Sequence, residues 1–279
     1  MSGSVEGMDF PARAGALLVR LREQRPLIHL MTNLVTIRDV ADATRALGAL
    51  PVMALAVEEV AEIASTSSAL VLNLGTPTAD RVNAMIRAGR AANAAGVPIV
   101  LDPVGAGASE FRLANTRRAL AELRVAVVRA NIGEAAALLG REGTVRGVES
   151  HGPAPPGDEV AAHLAHTTGA VAAITGARDH VSDGRRLVAV ENGDPLLTRI
   201  SGGGDLATAI VAAFASVEHD GLVAAAAGLA ATGVAAEIAA RDAGGPGSFK
   251  VALFDALASL TPEVLVSHAR IRKQDAAWT

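Results

Sequence analysis

Five short apolar runs punctuate the chain, each closing on polar residues or glycine: LIHLMTN (27–33), ALVLNLG (69–75), VPIVLDP (97–103), RVAVVRAN (124–131) and GAVAAITG (169–176). Between them lie stretches with helical spacing and charged outer faces, such as TADRVNAMIRAGRAANAAG (78–96) and EFRLANTRRALAELR (110–124). Strand-like runs alternating with helices predict parallel strands joined by right-handed crossovers, hence a three-layer αβα fold around a mostly parallel sheet. VSDGRRLVAVENG (181–193) reads as a hairpin turning at Asp183-Gly184, which would extend that sheet antiparallel. Open α/β sheets bind ligands just beyond the carboxyl ends of their strands. The tails Thr32-Asn33, Asn73-Leu74-Gly75, Asp102-Pro103, Asn131 and Thr175-Gly176 therefore predict a composite site along that edge.

At 279 residues, 50% of them hydrophobic, one α/β domain over 1–279 can bury a sizeable core. Residues 1–10 are expected to be a flexible start, 270–279 a C-terminal tail, and the proline- and glycine-rich 146–159 a surface loop. A formal net charge of -4 offers no excess to steer the chain onto nucleic acid or anionic lipid. Aromatic content of 2% leaves few rings for base stacking, so the expected partners are small molecules. Without cysteine there is no disulfide framework or thiolate metal site, and the N-terminal stretch lacks a basic start followed by an apolar core, so a cytoplasmic location is expected. The apolar segment 223–240 carries two glycines and a glutamate and reads as a buried helix, not a membrane span. After residue 203 the chain reads as helical nearly to its end, with RDAGGPGSFK (241–250) as the one break and HARIRK (268–273) as a solvated helix end.

ISGGGDLATAIVAAF (200–214) sets three glycines and a carboxylate before an apolar helix. Alone, it is satisfied by a flexible turn with Asp205 as a first-turn acid favoured by the helix dipole. A dinucleotide fingerprint through Gly202, Gly204 and Ala207, with Glu218 as the ribose acid, fails on context, since helix follows helix here and Asp205 would press its charge against a pyrophosphate. A third reading makes the glycine amides at the helix N-terminus an anion hole for phosphate, with Asp205 accepting the proton of an alcohol that attacks it.

The glycine loop followed by aspartate resembles the ribokinase-like small-molecule kinases. MTNLVTIRDVADATRALGALPVMA, LVLNLGT, VLDPVGAGASEFR, VVRANIGEAAALLG, GVES, AITGARDHVSDG and ENGDPLLTRISGGGD, in this order, resemble the hydroxyethylthiazole kinase family. That resemblance implies transfer of the terminal phosphoryl group of ATP to the primary hydroxyl of 4-methyl-5-(2-hydroxyethyl)thiazole in thiamine salvage. It implies Asp205 as base, with Gly202 and Gly204 offering amides to the moving phosphoryl group. Arg129, Asn131, Thr175, Gly176 and Ser201 would face ATP. Asp102 and Glu134 would organise Mg2+ through its water shell, and Asn33, Val35, Met53 and Gly202 would meet the thiazole. The resemblance further implies a homotrimer with sites between subunits.

Several positions depart from the family pattern. Asp205 stands where cysteine is frequent, Gly203 and Ser201 where threonine is, Ala130 for glycine, Asp42 for asparagine, and Leu55 and Asp194 for histidine; several of these would line the substrate side. Alternatives are a related kinase for hydroxymethylpyrimidine or another small alcohol, a nucleotide-dependent NAD(P)H-hydrate dehydratase, and a ligand-binding protein without turnover. The histidines show no metal-ligand spacing, and His29 reads as structural.

Overall fold

The computed structural model describes residues 7–140, 144–146, 149–151 and 156–274. In chain order its helices are α1 (Phe10–Gln24), α2 (Ile37–Leu47), α3 (Val60–Thr66), α4 (Ala79–Ala95), α5 (Glu110–Glu122), α6 (Ile132–Leu138), α7 (Gly157–Thr168), α8 (Gly203–Ala215), α9 (Gly221–Ala240), α10 (Pro246–Ser259) and α11 (Pro262–His268). The strands are β1 (Leu27–Met31), β2 (Leu50–Val52), β3 (Ala69–Asn73), β4 (Ile99–Asp102), β5 (Val127–Asn131), β6 (Thr144–Arg146), β7 (Glu149–His151), β8 (Val171–Thr175), β9 (Asp179–Ser182), β10 (Leu187–Val190) and β11 (Ile271–Gln274).

Nine strands make one sheet in the order β11-β10-β9-β8-β5-β4-β3-β1-β2. The six from β8 to β2 run parallel, while β9, β10 and β11 continue antiparallel. Side chains alternate between faces along each strand, which divides the interior in two. Ile28, Leu30, Val71, Val100 and Val127 pack with α1, α2, α8, α9 and α10. Leu70, Leu72, Ile99, Leu101 and Val128 pack with α3 to α7. This is the three-layer fold expected, and the hairpin of β9 and β10 lies where the sequence puts it.

Local chemistry sets the helix ends. Thr78, Ser109 and Asp220 accept amide hydrogens at the starts of α4, α5 and α9, and Gly96 closes α4 in the left-handed conformation. α9 is the one helix among the described residues long and apolar enough to cross a membrane. It is enclosed by α1, α8 and α10, with every residue from Leu222 to Ala236 buried. Its Gly228 permits the close crossing of α8, since a Cβ there would stand 2.7 Å from Val211 Cα.

The structure departs from the sequence expectations at the ends and in the connections. The expected flexible start stops short of residue 10, because Asp9 accepts the Ala12 amide at 3.0 Å and Phe10 lies in the core; residues 1–6 lie outside the described residues. The C-terminal segment is not helical throughout. β11 pairs antiparallel with β10, so IRKQ joins the sheet as an edge strand with one apolar side chain, and residues 275–279 lie outside the described residues. The helical run after 203 also breaks between α8 and α9, where Asp220 caps the new helix, and between α10 and α11. Within the expected loop 146–159, β7 pairs with β6 and α7 begins at Gly157; residues 147–148 and 152–155 lie outside the described residues. α1 and β2 carry no signal singled out above: β2 spans three residues and contains Pro51, tolerated at a sheet edge.

Candidate active site

The register of the parallel strands brings the polar tails together. Asn73 is the lateral partner of Asp102, and Asn131 of Thr175, so four strand ends present side chains at one edge. The N-terminus of α8 points into the same place. Gly202, with a φ of 90°, turns the chain into that helix without a side-chain cap. No acceptor in the described residues reaches the amides of Gly203, Gly204 and Asp205. Three N–H groups and the positive end of a thirteen-residue helix are thereby left for an anion.

Asp205 sits in the first turn, partly exposed, and three donors converge on it. Its Oδ2 accepts from Thr36 Oγ1 at 2.6 Å and Asn33 Nδ2 at 2.8 Å, and its Oδ1 from Asn73 Nδ2 at 2.8 Å. A carboxylate, which only accepts, suits such surroundings.

At each glycine of the loop a side chain would collide with a protein neighbour, at Gly204 with the movable head of Arg129. An ideal Cβ would stand 2.4 Å from the Thr36 methyl at Gly202, 2.5 Å from the Leu197 carbonyl oxygen at Gly203 and 2.4 Å from Arg129 Nη1 at Gly204. From sequence, the glycines are expected to leave an oxyanion's path open. The structure adds that the start of α8 lies so close to its supports that a side chain at Gly202 or Gly203 is excluded and one at Gly204 would displace the Arg129 head.

Arg129 lies against Gly204, its side chain largely buried. Nη2 donates to Thr175 Oγ1 at 2.6 Å, Nη1 is 3.8 Å from Asp102 Oδ2, and the buried Nε meets no acceptor. Most of its five N–H groups are unspent. Asp102 is fully buried; its Oδ2 accepts from Thr208 Oγ1 at 2.6 Å and Asn73 Nδ2 at 3.0 Å, and its Oδ1 has no partner. Burial pushes its carboxyl up to about 7; Arg129 pulls it down, and the charges of Asp205 and Glu134 push it further up. Glu134 accepts the Gly105 amide at 2.8 Å and the Asn131 amide at 2.9 Å, and burial raises its carboxyl against Arg129 and these two bonds.

The other nucleotide-facing candidates divide. Ser201 is exposed, with a hydroxyl free of protein partners. Asn131 Oδ1 caps α6 by accepting the Glu134 amide at 2.9 Å, which leaves its Nδ2 available. Thr175 reaches the site through Arg129. The Gly176 amide is taken by Asp179 Oδ1 at 3.0 Å, so what faces outward at that strand end is backbone without a free donor. Asp179 has a raised carboxyl, at about 6, because burial outweighs the Gly176 amide and the Arg129 charge.

On the acceptor side, Asn33 is almost wholly buried and committed at both ends: Nδ2 to Asp205 and Asn73, Oδ1 to the amides of Val35 and Thr36. Its polar atoms brace the carboxylate. Val35 is 67% exposed beside the equally open Leu34, and Met53 packs against the core with part of its surface free. His29 is buried and donates from Nε2 to the Ala54 carbonyl at 2.8 Å, and burial lowers its pKa. Of the departures from the family pattern, Asp194 accepts the Leu196 amide at 2.8 Å at the start of the 3-10 turn Pro195–Arg199, Asp42 faces Arg38 on α2, and Ala130 is core. These three are accounted for by local structure. Asn73, Thr36 and Thr208 are the members that sequence reasoning did not single out; Asn73 alone had a signal, as a polar strand tail.

A family model described as the hydroxyethylthiazole kinase family matches residues 18–263. A protein from Desulforudis audaxviator named hydroxyethylthiazole kinase is 53% identical over 257 residues, covering 92% of this chain and 94% of its own. The solved structure of a hydroxyethylthiazole kinase protein from Pyrococcus horikoshii OT3 superposes with a TM-score of 0.86 at 40% identity, over 96% of this chain and all of the other. A ribokinase-like superfamily protein from Enterococcus faecalis shares the fold at 11% identity, with a TM-score of 0.62 over 87% of this chain and 93% of its own.

Proposed function

The chain belongs to the hydroxyethylthiazole kinase family and is a kinase of thiamine salvage acting on hydroxyethylthiazole; on that premise we propose that Asp205 is its base and the start of α8 its phosphate cradle. One observation carries this reading: the unspent amides of Gly203, Gly204 and Asp205 and the unspent N–H groups of Arg129 meet around Gly204, beside a carboxylate held by three donors.

In the reaction, the primary hydroxyl of 4-methyl-5-(2-hydroxyethyl)thiazole gives its proton to Asp205 as its oxygen bonds to the terminal phosphorus of ATP. The bond from that phosphorus to the bridging oxygen breaks, and ADP leaves. Phosphoryl transfer of this kind is served by alignment and by fixed positive charge, which helix amides and guanidinium supply without reorganising. Arg129, Asn131 Nδ2 and Ser201 bind the nucleotide phosphates, while Thr175 holds Arg129 in place. Met53 and Val35 give the thiazole ring an aliphatic and thioether wall.

Asp102 and Glu134 fit an Mg2+ ion held through water. Asp102 Oδ1 is buried without a donor, and no group of three or more His, Asp or Glu side chains among the described residues could cage an ion, so its other ligands would be water and phosphate. Bound with ATP, the ion supplies neutralising charge on the phosphates. Leu34 and Val35, 62% and 67% exposed on the loop that carries Asn33, are surface for a neighbouring subunit to cover in a homotrimer. No observation favours the hydroxymethylpyrimidine, dehydratase or binding-protein alternatives. ATP as donor is in keeping with a cytoplasmic enzyme.

The test is Asp205→Asn, assayed for ATP-dependent phosphorylation of hydroxyethylthiazole with hydroxymethylpyrimidine and no alcohol alongside. Loss of about 10²- to 10⁴-fold in kcat with the fold retained is expected of a general base. Near-normal turnover would remove Asp205 from that role.

A further inference from the structure

We propose that Asn73 is a positioning residue for phosphoryl transfer: its one amide group holds the base Asp205 with one N–H and restrains Asp102 with the other. The proposal rests on the reading of Asp205 as base. Asn73 Nδ2 stands 2.8 Å from Asp205 Oδ1 and 3.0 Å from Asp102 Oδ2, so a nitrogen with two hydrogens serves two carboxylates. On its other side, Oδ1 accepts from the Gly75 amide at 2.9 Å and from Asn33 Nδ2 at 3.2 Å. The side chain is 1% exposed, and all four contacts come from protein.

Chemistry forces the orientation of this amide. Turned over, its oxygen would face two carboxylates and its nitrogen two donors, leaving every contact repulsive or unmade. Few side chains replace it at this length: aspartate offers no hydrogen to either carboxylate, and leucine would leave Asp205 Oδ1 and the Gly75 amide without a partner and take one bond each from Asp102 Oδ2 and Asn33 Nδ2. The strand register is what brings Asn73 level with Asp102, and the helix start is what drops Asp205 onto the remaining hydrogen.

A consequence concerns which oxygen takes the proton. Asp205 Oδ2 already accepts from Thr36 and Asn33, whereas Oδ1 accepts from Asn73 alone. The alcohol therefore delivers its proton to Oδ1, the oxygen whose position Asn73 sets. Between Asp102 and Asp205 the amide also interposes donors where a direct approach would set two acids against each other.

The test is a double-mutant cycle in the full-length protein: Asn73→Ala and Asn73→Asp, each alone and combined with Asp205→Asn. Single-turnover transfer to hydroxyethylthiazole, the KM for ATP and thermal melting would be measured for each. Asn73→Asp keeps an oxygen for Gly75 and Asn33 but loses both N–H groups, so it separates bracing of the turn from positioning of the carboxylates. Both single variants are expected to lose about 10²-fold in kcat, the usual effect of a misplaced reacting group, with the KM for ATP changed less than about threefold. In the Asp205→Asn background the part of the loss that runs through Asp205 should disappear and only the part that runs through Asp102 remain, so the same changes should cost clearly less than in the wild-type background. Wild-type turnover in Asn73→Asp, or the same loss in both backgrounds, would overturn the proposal while leaving the base in place. Near-normal turnover in Asp205→Asn alone is a different outcome: it would remove the base, and this proposal with it.

Discussion

Gly204→Ala tests the phosphate cradle at one atom. The added Cβ would stand 2.4 Å from Arg129 Nη1, 2.8 Å from Nη2 and 2.9 Å from Cζ, so the whole planar head of the arginine is in its way. Gly204 lies inside α8 with helical backbone, and alanine there gains up to about 1 kcal/mol of helix propensity. The backbone therefore has no reason to move, and the guanidinium must retreat by about 1 Å to restore an ordinary contact of 3.4 Å, which sacrifices its 2.6 Å bond to Thr175. A displacement of about 1 Å in a positioning group costs on the order of 10²-fold in rate. Steady-state kinetics with varied ATP should show kcat/KM for ATP reduced by about that factor, with the melting temperature held within about 3 °C. Wild-type kinetics with a wild-type melt would refute the reasoning, since it would mean that the Arg129 head does not need the place in which the structure puts it.

The raised carboxyl of Asp102 makes stability depend on pH in a definite direction. Because its folded value is about 7 against an unfolded 3.8, the native state binds the extra proton, so its contribution is present in acid and is lost as pH rises from about 4 to about 7. Denaturant titrations without divalent ions should show wild-type stability falling relative to Asp102→Asn across that window by no more than about 4 kcal/mol, and a flat difference would mean Asp102 is charged throughout. At the crossing of α8 and α9, Gly228→Ala meets backbone, with Val211 Cα at 2.7 Å, and should destabilise by about 1–3 kcal/mol in chemical unfolding; an unchanged midpoint would show the two helices free to separate.

The strand runs, the buried character of α9 and the convergence of polar tails on one sheet edge are all legible in the sequence, because they follow from short-range periodicity and from the rule that parallel strands carry ligands at their carboxyl ends. The place of Asp205 in the first turn of an apolar helix is legible too, since three glycines before a carboxylate and an apolar run mark a helix start. The edge strand β11 is not: with one apolar side chain in IRKQ, its place in the sheet depends on β10 being there to pair. Nor are the partners of the polar tails. Asn33, Asn73 and Asn131 look alike as strand ends, yet Asn33 is spent bracing Asp205, Asn73 bridges two acids and Asn131 keeps a free nitrogen after capping α6. The two bonds to Asp205 join residues 132 and 172 positions apart, and they are decided by strand register and by the depth to which α8 descends on the sheet. The same holds for the glycine loop: sequence shows that side chains are missing, and only the tertiary structure shows that Thr36, Leu197 and Arg129 occupy the space they would have filled.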